Sequence, residues 1–321
     1  MILLTGGAGF IGSCFLKILN ENGLDDILVV DHLGSSDKWK NLLGKKFYDF
    51  LDKQQFHNLI ENGKVSKFPF DTIFHFGACT NTLESNADYL IENNYHYSVK
   101  LARYSVERGI RFIYASSAAT YGIGSFGYDD DLVFELRPLN PYGFSKYLFD
   151  CWVVRNGLDK SFVGLKFFNV FGPNEYHKGE MASMVFKSFN QVNSIGKIRL
   201  FKSNDPKFPD GEQKRDFVYV KDVVQIIWKI YNSNVTGIFN IGTGQARSWN
   251  ELANAVFRAM GIEPAIEYID MPKELYDQYQ NFTQAKMDKL FSKIGTYEFL
   301  SLENAVDDYI KNHLTKDWIY Y

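Results

Sequence analysis

The sequence predicts an α/β fold in which a doubly wound parallel sheet is accompanied by a smaller α/β lobe from the C-terminal half. Two observations lead to this prediction. Short apolar runs alternate with amphipathic stretches in the N-terminal half, and a glycine cluster directly follows the first apolar run. Strands separated by helices form βαβ units, and helices then cover both faces of the parallel sheet.

The predicted strands are short apolar runs. They cover residues 2–5, 27–30, 72–76, 112–115 and 162–168. Apolar residues at helical spacing predict the first connecting helix just after the glycine cluster, from Phe10 onward.

The alternation of strands and helices stops after about Pro173. Residues 202–214 are polar, contain two prolines and a glycine, and predict a loop or hairpin. Ser248 followed by Glu251 forms a capping-box pattern, which predicts that a helix begins there. The second lobe is therefore expected to come from the C-terminal half.

A division into two domains follows from this pattern. Residues 1–170, with roughly 215–245, are predicted to form the domain of the large parallel sheet. Residues 171–214 and 246–321 are predicted to form the substrate-binding lobe.

Composition excludes several classes of protein. A net charge of −3 gives no electrostatic reason to expect binding to nucleic acid or to an anionic membrane. Cys14, Cys79 and Cys151 lack metal-ligand spacing and are expected to be reduced thiols. No apolar run approaches the ~18 residues of a membrane span, and the first residues lack the charged region of a signal peptide. We therefore expect a cytoplasmic protein without a metal site.

The glycine cluster has the spacing of a dinucleotide-binding turn. Gly6, Gly9 and Gly12 follow a strand and open a helix, whose free N–H groups can bind a pyrophosphate. Asp31 ends the next strand, about 20 residues further on, where an acidic residue holds the adenine ribose in such folds. The sequence therefore predicts a Rossmann domain with a nicotinamide dinucleotide cofactor.

The residues alone leave the choice between NAD and NADP open. Asp31 ordinarily indicates NAD, because its charge opposes a 2′-phosphate. His32, Lys38 and Lys53 could instead contact that phosphate, although each lysine could equally be a solvated surface charge.

A catalytic group is predicted on the helix that starts near Pro141. Tyr142 and Lys146 are four residues apart, so they share one helix face and point into the same cleft. An ammonium near the phenol favours phenolate, so we expect Lys146 to lower the pKa of Tyr142 and make it a base near neutral pH. Ser117 ends the strand before this helix and adds a hydroxyl at the edge of the sheet where ligands bind.

The chain resembles the extended short-chain dehydrogenase/reductase superfamily along nearly its whole length. The motifs that carry the resemblance are TGGAGFIG, YGFSK, FFNVFGP, RDFVYVKDV and NIGTG. Members include nucleotide-sugar epimerases, dehydratases, decarboxylases and reductases. In the dehydratases an Asp-Glu pair follows the matching serine, but here Ala118 and Ala119 occupy those positions. Alanine cannot transfer a proton, so a dehydratase is excluded.

Further motifs resemble one subfamily, the ADP-L-glycero-D-manno-heptose 6-epimerases. They are HKGEMAS after FNVFGP, GACT, ENNYHYS, ASSAATYG and YQNFTQA. The chain departs from the subfamily at Phe76, His32 and Phe144.

The resemblance implies an NADP-dependent isomerase that inverts C6 of an ADP-heptose used for the lipopolysaccharide core. Bound NADP⁺ would take a hydride from C6 and return it to the opposite face. Tyr142 and Lys178 would be the acid/base groups for the two faces, with Ser117 bonded to the reacting oxygen and Lys146 assisting. Without the resemblance, Lys178 reads as a solvated loop charge, and the role of His177 stays open.

The resemblance also implies ligand contacts and an assembly. Arg215 would clamp a phosphate, since its fork matches phosphate oxygens, and the protein would form a homo-oligomer, possibly a pentamer. The implied cofactor contacts are Phe10, Ile11, Asp31, His32, Lys38, Lys53, Phe76, Gly77, Ala78, Cys79, Thr80, Asn93, Lys146, Val170 and Lys178. The implied substrate contacts are Ser117, Asn169, Glu180, Lys187, Phe201, Lys202, Ser203, Asn204, Arg215 and Tyr279.

Two other functions remain possible from the sequence. The first is a different nucleotide-sugar epimerase or reductase, which the HKGEMAS segment disfavours. The second is a noncatalytic NADP-binding regulator on the same fold, which the intact Tyr142, Lys146 and Ser117 disfavour.

Overall fold

The protein is represented by a computed structural model that describes residues 1–321, except for the side chains of Glu274 and Asp277. The described strands are β1 (Ile2–Thr5), β2 (Ile27–Asp31), β3 (Asp49–Asp52), β4 (Thr72–His75), β5 (Arg111–Ser117), β6 (Val163–Phe167), β7 (Asn169–Phe171), β8 (Ile198–Phe201), β9 (Lys214–Tyr219), β10 (Gly237–Ile241), β11 (Ala246–Ser248) and β12 (Ile266–Ile269).

The described α-helices vary in length from one turn to four. They are α1 (Phe10–Glu21), α2 (Lys53–Glu61), α3 (Ala87–Leu90), α4 (Tyr97–Arg108), α5 (Pro141–Arg155), α6 (Met184–Ile195), α7 (Val220–Tyr231), α8 (Trp249–Met260), α9 (Asp288–Ile294) and α10 (Leu302–Tyr309). A π-helical turn over Ile91–His96 joins α3 to α4, and a short 3₁₀ helix covers Tyr176–Met181.

Seven strands form one parallel sheet, in the order β10-β6-β5-β4-β1-β2-β3. The sheet reverses its winding at β1, which pairs with β2 on one side and β4 on the other. Ligands bind outside the carboxyl ends of the strands at such a switch point. The doubly wound parallel sheet predicted from the sequence is therefore confirmed.

Two small sheets and three helices build the second lobe. The sheets have the orders β11-β9-β7 and β12-β8, and a separate apolar cluster forms between them and α6, α8 and α10. The predicted capping box at the start of α8 is present, because Ser248 accepts from the Glu251 amide and Glu251 accepts from the Ser248 amide. The polar loop predicted near residue 202 connects β8 to β9.

The predicted domain division stays a prediction. Strand β10 extends the edge of the large sheet beside β6. Three side chains from the segment assigned to the substrate lobe, Ala285, Met287 and Leu290, pack into the core of the large sheet. No helix in the described part of the chain is long and apolar enough to cross a membrane.

Candidate active site

A cleft of about 510 Å³ lies at the carboxyl edge of the large sheet. Its walls come from the glycine turn after β1, the segment after β4, the end of β5, the first turns of α5 and the loop between β7 and α6. Many of the predicted site residues line it: Gly6, Gly9, Phe10, Ile11, Gly12, Asp31, Lys38, Phe76, Gly77, Ala78, Thr80, Ser117, Tyr142, Lys146, Asn169, Val170, Lys178 and Glu180.

The glycine turn fits the pyrophosphate of a dinucleotide. Gly9 caps α1 without a side-chain hydrogen bond, and the first turn of the helix carries no acidic residue. Its N–H groups therefore remain available to an anion. A Cβ on Gly12 would lie 2.1 Å from the Gly6 carbonyl oxygen, and Gly6 has a φ of +71°. Both positions therefore require glycine for the turn to close on the helix.

Asp31 is buried at the end of β2 and is held from three sides. Its carboxylate accepts from the Ala8 amide at 2.9 Å and the His32 amide at 2.7 Å. Lys38 pairs with it through Nζ at 2.5 Å. Lys38, the predicted contact for the cofactor phosphate, and Asp31, the predicted contact for the ribose, therefore neutralise each other's charge. Lys53 lies outside the cleft lining and donates to the neutral Asn93 side chain at 2.7 Å, so its charge is not cancelled by that contact.

A buried chain of hydrogen bonds connects the segment after β4 to the π-helical turn. The Gly77 amide lies 3.2 Å from Thr5 Oγ1, which is 2.7 Å from His75 Nδ1. His75 Nε2 is 2.8 Å from Ser98 Oγ, and Ser98 donates to the Asn94 carbonyl. Because the Ser98 proton is committed to Asn94, Nε2 is the donor of His75 and Nδ1 accepts from Thr5. Burial lowers the pKa of His75 to about 3, in agreement with a neutral ring.

The π-helical turn also positions α5. Asn94 bonds the backbone of Cys79 in both directions, at 2.8 and 3.0 Å, and donates to Ser145 Oγ at 3.0 Å. Ser145 in turn donates to the Tyr142 carbonyl at 2.7 Å. π-Helical turns are frequent at functional sites. Here the turn lets one asparagine, Asn94, join the segment after β4 to the helix that carries Tyr142.

Tyr142, Lys146 and Ser117 come together as the sequence predicts. Pro141 begins α5, and Asn140 caps it through the Gly143 amide at 2.8 Å. Lys146 is buried and donates to the Ala115 carbonyl at 3.0 Å, and burial lowers its pKa to about 8. Ser117 Oγ accepts from the Ala119 amide at 3.1 Å, which leaves the hydroxyl proton for another acceptor.

The structure contradicts the expected lowering of the Tyr142 pKa. Burial raises the pKa of the phenol, and the Ser117 side chain lowers it by a smaller amount. Lys146 directs its ammonium to a strand carbonyl instead. Desolvation of the phenolate is therefore the dominant influence on this pKa.

Lys178 lies in the cleft on the loop between β7 and α6. Its Nζ is 5.5 Å from the centre of the Phe10 ring, and no described carboxylate lies within 4 Å of it. Burial lowers the pKa of Lys178, while the charge of Glu175 opposes the shift. Lys178 therefore differs from an ordinary loop lysine, whose ammonium is solvated, because its ammonium is buried and has no described carboxylate partner.

His177 also lines the cleft, and its role was left open by the sequence. Asn41 Nδ2 donates to the carbonyls of Ala8 and Asn174 and lies 3.3 Å from His177 Nδ1. Both hydrogens of Asn41 Nδ2 are directed to the two carbonyls, so this third contact does not fix the tautomer of His177. Burial, followed by the charges of Lys38 and Lys178, lowers the pKa of His177 to about 4. The residue is therefore a neutral hydrogen-bond donor at neutral pH.

Arg215 lies in an aromatic box in the second lobe. Its guanidinium is 5.0 Å from the Tyr279 ring and 5.6 Å from the Trp249 ring. Trp249 Nε1 donates to the Tyr279 hydroxyl at 2.9 Å, which closes the box. Burial lowers the pKa of Arg215, yet arginine stays charged in proteins. A buried fork of this kind matches a phosphate group.

The remaining predicted site residues are not part of the cleft lining. Lys187 pairs with Glu180 at 3.3 Å, and Lys202 with Asp270 at 2.9 Å. Phe201 ends β8, Ser203 bonds Asp210, and Asn204 bonds the Tyr276 carbonyl. His32 pairs with Asp52 at 3.2 Å. Cys79, Asn93, Arg215 and Tyr279 are likewise absent from the cleft lining in the described structure.

Sequence reasoning missed several residues that line the cleft. Thr82 and Met181 contact each other across it at 3.4 Å. Trp249 and Gln280 line its far end. Gln280 adjoins the predicted Tyr279 in the YQNFTQA motif, which could have indicated it, whereas no local pattern indicates Trp249.

Comparisons with known proteins identify the family of the chain. A model of the NAD dependent epimerase/dehydratase family matches residues 2–242. A protein of Nitratidesulfovibrio vulgaris strain DP4, named ADP-L-glycero-D-manno-heptose-6-epimerase, is 50% identical over 317 residues, which cover 98% of each chain. The chain belongs to the ADP-L-glycero-D-manno-heptose-6-epimerase family.

Further members of this heptose-epimerase family are similar along their whole length. A Fusobacterium nucleatum protein of the same name is 47% identical over 99% of each chain. The crystal structure of the Helicobacter pylori ADP-L-glycero-D-manno-heptose-6-epimerase aligns with a TM-score of 0.83 and 31% identity, over 97% of this chain and 95% of that one. The family predicted from the motifs is thus confirmed.

Proposed function

We propose that this epimerase-family protein converts ADP-D-glycero-D-manno-heptose to ADP-L-glycero-D-manno-heptose, a precursor of the lipopolysaccharide core, with NADP as its cofactor. The names of its relatives support the substrate. The observation that carries the proposal is the Lys178 ammonium, which lies in the same cleft as Tyr142 but on a different element. An epimerase at an exocyclic carbon needs two proton-transfer groups for its two faces, and the cleft contains both.

The residues of the cleft divide the chemistry between them. A bound nicotinamide dinucleotide supplies the acceptor and donor for the hydride that leaves C6 and returns to it. Tyr142 accepts the C6 hydroxyl proton for one epimer. Ser117 donates its hydroxyl proton to the reacting oxygen, because its own oxygen already accepts from Ala119. Lys146 is protonated below about pH 8, and its ammonium favours the phenolate once that anion forms.

Lys178 serves the other face of C6. Burial lowers its pKa, which makes the ammonium a stronger acid and the amine available as a base nearer neutrality. Glu175 lies behind it, and its charge limits that shift. The two groups exchange roles between the forward and reverse reactions.

Charged side chains around the cleft support the binding of both ligands. Arg215 is proposed to hold the substrate diphosphate, and Asn169 and Glu180, which line the cleft, are proposed to contact the heptose. Lys38 and Lys53 are proposed to favour the 2′-phosphate of NADP. The two positive charges of Lys38 and Lys53 exceed the single negative charge of Asp31, so the net charge favours NADP over NAD. The predicted homo-oligomer stays a prediction.

The test is to incubate the purified protein with ADP-D-glycero-D-manno-heptose and resolve the two epimers by chromatography. Interconversion is expected without added NADP⁺ or with catalytic amounts, because an epimerase returns the hydride that it removes. A stoichiometric requirement for NADPH with accumulation of a reduced product would instead indicate a reductase. UDP-glucose serves as the comparison substrate, and its faster turnover would contradict the proposed substrate.

A further inference from the structure

Residues 318–321 lie against the loop that carries Lys178, which we call the lysine loop (residues 172–183). The Tyr321 amide donates to Asn174 Oδ1 at 2.8 Å, and Asn174 Nδ2 donates to the Tyr321 carbonyl at 3.1 Å. One side-chain amide therefore pairs with both backbone groups of a residue 147 positions away. This pairing resembles the two hydrogen bonds exchanged by opposite residues in a β-ladder.

Further contacts hold the same four-residue segment. The Tyr176 hydroxyl donates to the Ile319 carbonyl at 2.6 Å, and its ring lies 5.4 Å from that of Tyr320 in an edge-on arrangement. Lys45 Nζ donates to the Tyr321 carbonyl oxygen at 2.6 Å. The segment is therefore bonded to the lysine loop at two residues, Asn174 and Tyr176.

Asn174 connects this segment to the rest of the cleft. It is fully buried and has a φ of +75°, which is uncommon for a residue other than glycine. Its side chain also donates to Ser13 of α1 at 2.9 Å, and its carbonyl accepts from Asn41 at 3.0 Å. The first turn of the lysine loop is thus fixed to the helix that follows the glycine turn.

Lys178 depends on that turn for its position. Its amide donates to the Glu175 carbonyl at 2.9 Å. The buried Glu175 carboxylate accepts from the Gly172 amide at 3.2 Å and from the Ser183 amide and hydroxyl at 2.5 and 2.7 Å. Glu175 therefore joins the two ends of the lysine loop, while residues 318–321 hold its first turn from outside.

We propose that residues 318–321 are positioning residues for Lys178. They contribute no side chain to the cleft lining among the described residues. They act by satisfying the Asn174 amide and the Tyr176 hydroxyl, which keeps the lysine loop in one conformation. The proposal rests on the proposed function of Lys178 as an acid/base group. A small misplacement of such a group lowers the rate of proton transfer more than it weakens ligand binding.

The test replaces one backbone donor in the full chain. Tyr321→Pro removes the amide that bonds Asn174, because proline has no N–H. Tyr321→Ala keeps that amide but, like Tyr321→Pro, lacks the ring that contacts Lys17 and Lys221, so it is the matched control. We expect kcat for ADP-heptose to fall about tenfold in Tyr321→Pro, with KM and the dissociation constant for NADP⁺ within about twofold of the parent. Tyr321→Ala is expected to keep a kcat close to that of the parent protein.

Two further measurements separate positioning from general destabilisation. When Lys178→Met is already present, adding Tyr321→Pro should not lower kcat further. The effects of two substitutions are not additive when both act through the same group. An equal tenfold loss in that background would overturn the proposal. Amide hydrogen exchange provides a readout that does not depend on the substrate. Exchange within residues 174–183 should accelerate in Tyr321→Pro but not in Tyr321→Ala, which keeps the amide.

The exchange result also distinguishes this proposal from the proposed function. If the protein fails to epimerise ADP-heptose but the lysine loop exchanges faster in Tyr321→Pro, the positioning contact stands and the substrate is wrong. If loop exchange is unchanged in Tyr321→Pro, residues 318–321 do not position the loop, whatever the substrate.

Discussion

Lys166 of β6 and Asp150 of α5 form an ion pair, with Nζ 2.7 Å from Oδ2 and neither side chain exposed. Asp150 also accepts from the Ser116 hydroxyl at 2.7 Å and the Tyr114 hydroxyl at 3.0 Å. Lys166 donates to Thr120 Oγ1 at 2.9 Å. The pair therefore connects α5 to the end of β5, the two elements that carry Tyr142 and Ser117.

Removing only one member of this pair should be strongly destabilising. Lys166→Met leaves the Asp150 carboxylate buried without its cation, and we expect a loss of about 3–5 kcal/mol in the free energy of unfolding. Adding Asp150→Asn removes the buried charge but keeps an acceptor for the two hydroxyl groups, so the double variant should recover part of the loss. Urea unfolding with circular dichroism measures both variants.

An exposed ion pair provides the control for this prediction. Lys197 bonds Glu267 at 2.8 Å near the surface, and Lys197→Met should cost less than about 1 kcal/mol. A loss from Lys166→Met as small as that of Lys197→Met would contradict the assigned importance of the buried pair.

The local part of the site could be predicted from the sequence because it depends on short-range geometry. The turn at Gly6 and Gly12 needs glycine for steric reasons within seven residues. Tyr142 and Lys146 share a face because of the helical repeat. Each of these relationships lies within one turn or one helix, so a short stretch of sequence contains the information needed to predict it.

The long-range part could not be predicted in the same way. The spacing of Tyr142 and Lys146 continues to Asp150, but nothing local pairs Asp150 with Lys166 on a strand. Asn174 and Tyr321 are 147 residues apart, and their contact depends on the complete packing of the second lobe. The Tyr142 pKa was predicted in the wrong direction for the same reason, because burial is a tertiary property.

Cofactor preference should change when the two candidate phosphate ligands are removed. Lys38→Ala and Lys53→Ala should each weaken NADP⁺ binding about tenfold, the size expected for one charge-assisted hydrogen bond. NAD⁺ binding should weaken less. Isothermal titration calorimetry with both dinucleotides measures the difference.

The matched control is Lys40→Ala. Lys40 belongs to the same short helix as Lys38 but pairs with Asp37 at 2.9 Å. Its removal should leave the NADP⁺/NAD⁺ ratio unchanged. Equal losses of both dinucleotides in Lys38→Ala and Lys53→Ala would mean that neither lysine contacts the 2′-phosphate.

Stability should fall in mild acid because His75 is buried in its neutral form. Its folded pKa is lowered to about 3, whereas an unfolded histidine titrates near 6.5. Below about pH 6.5 the unfolded chain binds the extra proton, so the contribution of His75 decreases as the pH falls toward 3. At pH 5 this contribution amounts to about 2 kcal/mol relative to neutral pH.

Unfolding of His75→Gln measures that contribution. The side-chain amide of glutamine can form the hydrogen bonds that His75 makes to Thr5 and Ser98, but it does not take up a proton. Its free energy of unfolding should therefore change about 2 kcal/mol less than that of the parent between pH 7.5 and pH 5. His96→Gln, at an exposed position, should keep the pH dependence of the parent. Parallel curves for the parent and His75→Gln would exclude a buried neutral His75.

Epimerisation should require both Tyr142 and Lys178 in both directions. Each epimer uses one group as the base and the other as the acid, so neither group can be omitted. Tyr142→Phe and Lys178→Met should each lower kcat by about 10²–10⁴-fold, the usual contribution of a general acid or base. Because both replacements nearly preserve side-chain volume, the fold should survive. Chromatography of the two ADP-heptose epimers measures the rates.

An analogue already oxidised to an aldehyde at C6 gives a sharper version of this test. The parent protein should dismutate it, and each single variant should lose that activity, since proton transfer is still needed at the reacting oxygen. Lys197→Met, on the exposed surface, should keep the parent rate in both assays and controls for loss of a lysine charge. Near-parental epimerisation by Lys178→Met would reject the second acid/base group. The buried Lys178 ammonium would then have a different role, which is to contact the phosphates of the cofactor.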